Sequence, residues 1–418
     1  METPPKWLSF GYLALFTVLP WSVDFDFGRW NLMVPAEPVI ALAGIGLMAF
    51  CWGRSGVVLS LFRQNTFLQI SLAYILWMAV SACFSTLPLV SWKYWIVAAG
   101  HWWVFAVGLS VWPDLWRRAI PFFLISMSGV AVYTLIHHSL YQFRADQAIL
   151  APKPFFSDHT LWAAALALVL FLLGAWRWPE SPKDMDAIQA RKRGWVQLAQ
   201  PGLFVMALIC STGRAAWLSV LVAGLVWAFM VLGNKMRLAL VLVLLVPGFW
   251  GGPKISRYLR EDVSSMERLN RWSCALRMQQ DKPLFGFGPG TFSFQYIDYQ
   301  RPEEMTRISV REVAPDNLPH PQGRGGGAHS EYFRALTELG WPGLLLWLGL
   351  AGMGLWAGFK RSKWISLALL TFFAHGLVND FMQDGRIAAL VWGALALVFS
   401  SKKSSIPGSV NNSNNFSH

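Results

Sequence analysis

Charge is what this chain has least of. Only 14% of its 418 residues are Asp, Glu, Lys or Arg and 55% are hydrophobic, where a soluble domain is about a quarter charged and about 45–50% apolar. So little charged surface excludes an ordinary water-soluble fold of this length. Cysteine is also sparse. Cys51, Cys83, Cys210 and Cys274 contain no C-x-x-C pair, so neither a disulfide framework nor a metal site is expected. Acidic residues are outnumbered by basic ones, 23 to 35, for a net charge of +12. Such a balance fits a nucleic-acid binder, or a membrane protein with a positive-inside bias and attraction to anionic lipid. No basic run is interleaved with aromatics in a polar segment, so membrane lipids are the expected partner and nucleic acid is not. A small-x-small cleavage site is missing too. Trp21, Ser22, Val23 and Asp24 follow the first apolar run, which therefore reads as a retained span.

What is abundant is apolar sequence. The mean hydropathy is +0.40, and 24 Trp and 29 Phe suit lipid-facing and headgroup-level surfaces. A spanning helix needs about 20 mostly apolar residues. Runs near 7–23, 33–52, 66–84, 94–112, 119–138, 159–176, 199–212, 215–233, 237–250, 341–359, 364–379 and 386–401 predict an all-α polytopic transmembrane bundle of about twelve spans. The seventh and ninth runs are short. Arg54, Arg63, Arg117, Arg118, Arg177, Lys183, Arg191 to Arg193, Lys235, Arg237, Lys360, Arg361, Lys363, Lys402 and Lys403 fall on one side. Only Arg29, Lys93, Arg144, Lys153, Arg214 and Arg386 fall in the opposite short loops. The positive-inside rule then gives both termini inside. The expected organisation is spans one to nine over 1–250, an outer loop over 251–338, spans ten to twelve over 339–403, and a disordered Ser/Asn-rich tail over 404–418.

The outer loop, roughly 85 residues, is too long for a bare connector. Ser264 to Gln280 reads as an amphipathic helix, with Ser264 and Glu267 as a capping box. Leu269, Trp272 and Leu276 share one face of it, and Arg268 and Arg271 lie a turn apart on another. Gly286, Gly288 and Gly290 follow in LFGFGPGTF. A dinucleotide fingerprint would need a preceding strand and a βαβ unit. Here a helix and a proline precede it, so a tight backbone turn is expected. After the glycine run 323–327, HSEYFRALTELGWPG predicts a helix from Ala328 to Leu339, broken at Gly340, Pro342 and Gly343. Ser330, Arg334 and Glu338 share one face of it.

Two positions carry the chemistry. His329 stands at the N-terminal end of that helix near several arginines. It reads either as a structural histidine or as a proton-handling group. Arg214 stands between two apolar runs in STGRAAWLS. An ionisable residue at membrane depth costs about 2.5–3.5 kcal/mol or more and marks function by default; the competing reading is a side chain that snorkels to lipid phosphate. Ser211, Thr212 and Gly213 supply a small polar turn beside it. Arginines at 214, 268 and 271 suit phosphate oxygens, and a histidine can take a proton. A lipid-linked phosphate and a hydroxyl acceptor would use both.

Three segments together resemble the O-antigen ligase/polymerase superfamily of bacterial inner-membrane glycosyltransferases. STGRAAW at 211–217 is similar to that family's Arg-containing turn. ERLNRWSCALRMQQDKPLFGFGPGTF at 267–292 is similar to its Arg-rich helix and Pro-Leu-Phe-Gly-x-Gly turn. HSEYFRALTELGWPG at 329–343 is similar to its His-(Ser/Asn)-x-x-hydrophobic…Glu-x-Gly-x-x-Gly motif. Ala215 departs from the glycine that many members have. The resemblance implies a GT-C-like architecture and transfer of a glycan from undecaprenyl diphosphate, at the periplasmic face, to lipid A–core or another glycan. It implies no cofactor, because the diphosphate leaving group carries the driving force. Arg214 and Arg268 would bind the diphosphate, with Arg271 beside them. His329 would orient or deprotonate the acceptor hydroxyl. Ser211, Thr212, Ser330, Arg334 and Glu338 would support the site. O-antigen ligase is the leading expectation, with a polymerase of the same superfamily second. A secondary transporter is third, disfavoured because no paired half-repeat is visible and the ionisable residues cluster at one end.

Overall fold

Backbone polar groups in hydrocarbon must be satisfied within the chain, which an α-helix does segment by segment. The computed structural model describes residues 3–26, 31–177, 194–237, 262–306 and 326–400, and these are mostly helical. In chain order the long helices are α1 (Lys6–Val18), α2 (Ala36–Trp52), α3 (Ser55–Gln64), α4 (Thr66–Cys83) and α5 (Pro88–His101), which runs on through a π-helical stretch to Val111. There follow α6 (Pro113–Ser139), α7 (His159–Arg177), α8 (Gly194–Cys210), α9 (Arg214–Val231), α10 (Val263–Asp281), α11 (Glu331–Arg361), α12 (Lys363–His375) and α13 (Gly385–Phe399).

Every expected span except 237–250, which lies outside the described residues, falls on one of these helices. By length and apolarity, six are able to cross a membrane: α4, α5 with its extension, α6, α7, α9 and α11. The pair α2 and α3, bent by 100°, would make a seventh. The apolar part of α8 (Ala199–Cys210), α12 and α13 are shorter than that. Large apolar side chains such as Leu42, Ile45, Leu76, Ile125, Ile136 and Leu221 are exposed around the bundle. An apolar surface this wide needs lipid beside it, and the chain is a multi-pass membrane protein.

Two features depart from the sequence reading. The residues after α1 form a small antiparallel hairpin, with Val23 to Asp26 paired against Asn31 to Val34. Arg386, expected in a short outer loop, is wholly buried at the start of α13. It donates to Asp384 at 2.9 Å and to the Ser22 carbonyl at 3.3 Å, bonds the Phe155 carbonyl, and lies over the Phe156 ring at 4.3 Å. This arginine ties the N-terminal hairpin, the connection before α7 and α13 together.

Helix α10 packs on the first part of α11, and α11 packs on α4. The start of the segment that follows α10, around Phe285, is seated on one end of the bundle. Its seat is α4. Ser81 Oγ is within bonding distance of the Phe285 and Glu338 carbonyls, at 2.7 and 2.9 Å. Trp77 Nε1 donates to the Leu339 carbonyl at 2.8 Å, and Phe84 stacks on Phe285 at 4.2 Å.

Candidate active site

Helix α10 begins one residue earlier than expected and has a different cap. Asp262, not Ser264, is the N-cap, and its carboxylate accepts from Ser265 N at 2.9 Å. Glu267, expected as the partner in a capping box, instead pairs with Arg271 at 3.0 Å and accepts from Thr306 at 2.5 Å. The buried face of α10 is Glu267, Asn270, Arg271, Cys274, Ala275 and Met278. Leu269 and Leu276, the apolar pair, are exposed.

The cap is also what joins the loop to the membrane turn. Arg214 is the first residue of α9, following Gly213 and a left-handed Thr212 (φ 55°). Ser211 Oγ donates to the Leu208 carbonyl at 2.6 Å and accepts from Gly213 N at 3.3 Å, which closes the turn and aims Arg214 outward. Its guanidinium reaches Asp262 at 3.1 Å. Burial alone would raise the Asp262 pKa, but hydrogen bonds from Ser265 and Arg214 outweigh it and hold the carboxyl below its ordinary range. Half of the Arg214 side chain remains exposed, 51%.

Arg268 lies one and a half turns into α10. It donates to the Val378 carbonyl at 3.1 Å and to Ser264 Oγ at 2.8 Å. No carboxylate bonds it among the described residues. Burial, and then the positive charge of Arg214, pull its pKa down, and Asp262 offsets them only in part. Arg271 is placed differently. It is 1% exposed, pairs with Glu267, donates to the Gly327 carbonyl at 3.3 Å and lies over Tyr296 at 4.4 Å. Its charge acts on the site from behind, while its bonds fix the chain that leads to His329.

His329 adopts a left-handed backbone (φ 49°), directly before Ser330, the N-cap of α11, whose hydroxyl accepts from Phe333 N at 3.4 Å. Helix α11 thus starts at Glu331 rather than Ala328. Trp272 donates to the His329 carbonyl at 3.3 Å and stacks on Phe333. The imidazole pKa is pushed down to about 3, by burial first and then by Arg271 and Arg268. His329 is therefore neutral near pH 7, able to accept a hydrogen bond from a hydroxyl but a weak base.

A further titratable group beside Gly327 is one that the motifs did not reveal. Asp380, in the connection between α12 and α13, holds a buried Oδ2 with no hydrogen-bond partner among the described residues. It lies so close to Gly327 that a side chain there would overlap the carboxylate. Burial pushes its pKa up to about 7. Glu331 fixes its position: Oε1 accepts from Phe381 N at 2.6 Å and Met382 N at 2.7 Å, and Oε2 pairs with Arg334, which in turn bonds the Tyr94 hydroxyl. An ionisable residue just beyond an apolar run was the available signal. What the sequence concealed is that position 380 folds back onto position 327.

Glu338 serves the glycine turn. Gly286, Gly288 and Gly290 all have positive φ (67°, 104° and 77°), which favours glycine. The turn's amides face a carboxylate, with Gly290 N donating to Glu338 Oε2 at 2.9 Å and Phe292 N to Oε1 at 3.1 Å. At Gly340 (φ 69°) helix α11 kinks, and a side chain there would strike the Leu284 carbonyl. The expected break and the expected backbone turn are thus two halves of one contact. Glu338→Ala is expected to leave the buried Phe292 amide unbonded, at about 1–3 kcal/mol, and the part-buried Gly290 amide with it, and to lower the melting temperature of the purified protein. Glu338→Gln, which keeps one acceptor oxygen, should lose less. An unchanged melting temperature in the alanine variant would remove Glu338 from this role.

Residues 202–348 match the family model described as O-Antigen ligase. That match contains Arg214, Arg268, Arg271, His329, Ser330, Arg334 and Glu338 and stops short of Asp380. No curated protein matches the chain. With its three motifs gathered at one end of an apolar helical bundle, the chain carries over residues 202–348 a segment similar to the O-antigen ligase family.

Proposed function

We propose that this protein moves an O-antigen-type glycan from undecaprenyl diphosphate to a hydroxyl of lipid A–core, as a GT-C-type transferase of the bacterial inner membrane. Both termini are taken to be inside, from the distribution of basic residues, and the site to face the periplasm. The observation that carries this reading is the approach of Arg214 to Arg268, which no carboxylate bonds among the described residues, together with a neutral His329 and an Asp380 Oδ2 that has no partner among the described residues.

The chemistry follows from those groups. The acceptor oxygen forms a bond to the anomeric carbon as the bond from that carbon to the diphosphate oxygen breaks. Negative charge grows on the leaving diphosphate, and Arg214 and Arg268 stabilise it where it forms. The acceptor proton passes to Asp380, while His329 holds the hydroxyl in line. Attack from the face opposite the diphosphate inverts the anomeric centre. Arg271 holds the Gly327–His329 chain in place.

A strain lacking this gene tests the reading by its lipopolysaccharide banding. The expected result is core without O-antigen, and long polymer accumulating on the carrier lipid. Complementation with the wild-type gene should restore the ladder, and the His329→Ala variant, inserted at normal levels, should not. Core bearing a single repeat unit would instead assign a polymerase. A full ladder from His329→Ala would take that residue out of the mechanism.

A further inference from the structure

One side chain at the same mouth belongs to neither the matched segment nor any of the three motifs. His159 is the first residue of α7, a helix of 19 residues. One turn later on the same side stands Ala163, since residues four apart in a helix stack above one another. Ala163 meets the membrane turn so closely that a side chain at Gly213 would overlap it. The His159 face of α7 is therefore turned toward Ser211–Arg214. Its imidazole also interacts electrostatically with Arg268.

The ring has no hydrogen-bond partner among the described residues, and its Nδ1 is buried. An orphaned buried N–H is rarer than an unsatisfied acceptor, so the neutral ring carries its proton on Nε2, which is not enclosed. Asp158 next to it is already engaged: Oδ1 accepts from Leu161 N at 3.1 Å and from the Thr160 hydroxyl at 2.6 Å. The Thr160 and Leu161 amides of α7 are thus engaged, and the imidazole Nε2–H is the side-chain donor left at this end of the helix.

We propose that His159 is a third diphosphate-binding residue, donating from Nε2 to a phosphoryl oxygen of the lipid-linked donor held between Arg214 and Arg268. This rests on the diphosphate reading given above. It adds a neutral, directional donor to two cations, which fixes the orientation of the phosphate as well as attracting it.

The test uses the full-length protein in detergent with farnesyl diphosphate as the probe, alongside steady-state transfer from the lipid-linked donor. His159→Phe is expected to raise the Kd for farnesyl diphosphate and the KM for the donor about tenfold, the effect of one charge-assisted hydrogen bond. The acceptor KM and the melting temperature should not change. His159→Gln, whose amide nitrogen falls near the Nε2 position, should recover most of the affinity, and His159→Asn should not. Wild-type affinity in His159→Phe, with binding lost in Arg268→Ala, would overturn the role of His159 and leave the diphosphate site standing. Equal losses in the Gln and Asn variants, with a lowered melting temperature, would also overturn it in favour of a packing role. If Arg268→Ala binds as wild type does, or the wild-type protein binds no farnesyl diphosphate, the diphosphate reading itself fails and His159 falls with it.

Discussion

Arg268→Ala is expected to lower glycan transfer about a thousandfold, near the upper end for removal of one preorganised charge-stabilising group. Two features set the size. The guanidinium is part-buried, so its interaction with a developing phosphate charge is less screened than at an open surface. It is also held in place, by Val378 and Ser264, so little reorganisation is needed when charge appears. Arg268→Lys should recover part of the loss by restoring charge without the planar fork. Arg214→Ala should act in the same direction but less strongly, because that side chain is half exposed and shares its charge with Asp262. The two losses should not be additive, since both groups address one diphosphate. Transfer rates of the single and double variants in purified form, corrected for insertion, check this. Wild-type turnover in Arg268→Ala would end its role in the reaction.

What the sequence revealed and what it hid divide along a physical line. Helix α10 and the break at Gly340 were legible because both are local: amphipathic spacing in one case, and glycine and proline in the other. The glycine turn was legible as a turn because each of its three glycines needs a positive φ. Its partner was not, because Glu338 and Gly290 meet only through tertiary packing. The cap was misplaced for a similar reason. Ser264 and Glu267 have capping-box spacing, but Glu267 forms a stronger pair with Arg271 inside the loop, and Asp262 both caps the helix and meets Arg214. Arg386 read as a loop charge because nothing near it in sequence shows the carbonyls of Ser22 and Phe155. The motifs end at position 343, and from them the site is the arginines at 214, 268 and 271 with His329. Position 380 meets position 327 through a contact that no periodicity records.

That contact sets the second large expectation. Asp380→Asn is expected to lower kcat by about 10²–10⁴, the usual range for loss of a general base. The variant is nearly isosteric, so insertion and folding should be retained. A pH profile distinguishes a base from a merely structural carboxylate. A base must be ionised to act, so kcat/KM should rise with pH through about 7, the value to which burial lifts Asp380, and level off above it. His329, held down to about 3, stays neutral across that window and contributes no step there. A limb near pH 7 in the wild type that vanishes in Asp380→Asn therefore assigns the proton to Asp380. If the limb persists in the variant, the proton belongs to another group, and Asp380 is left as a buried charge that helps to position Gly327 and the backbone of His329.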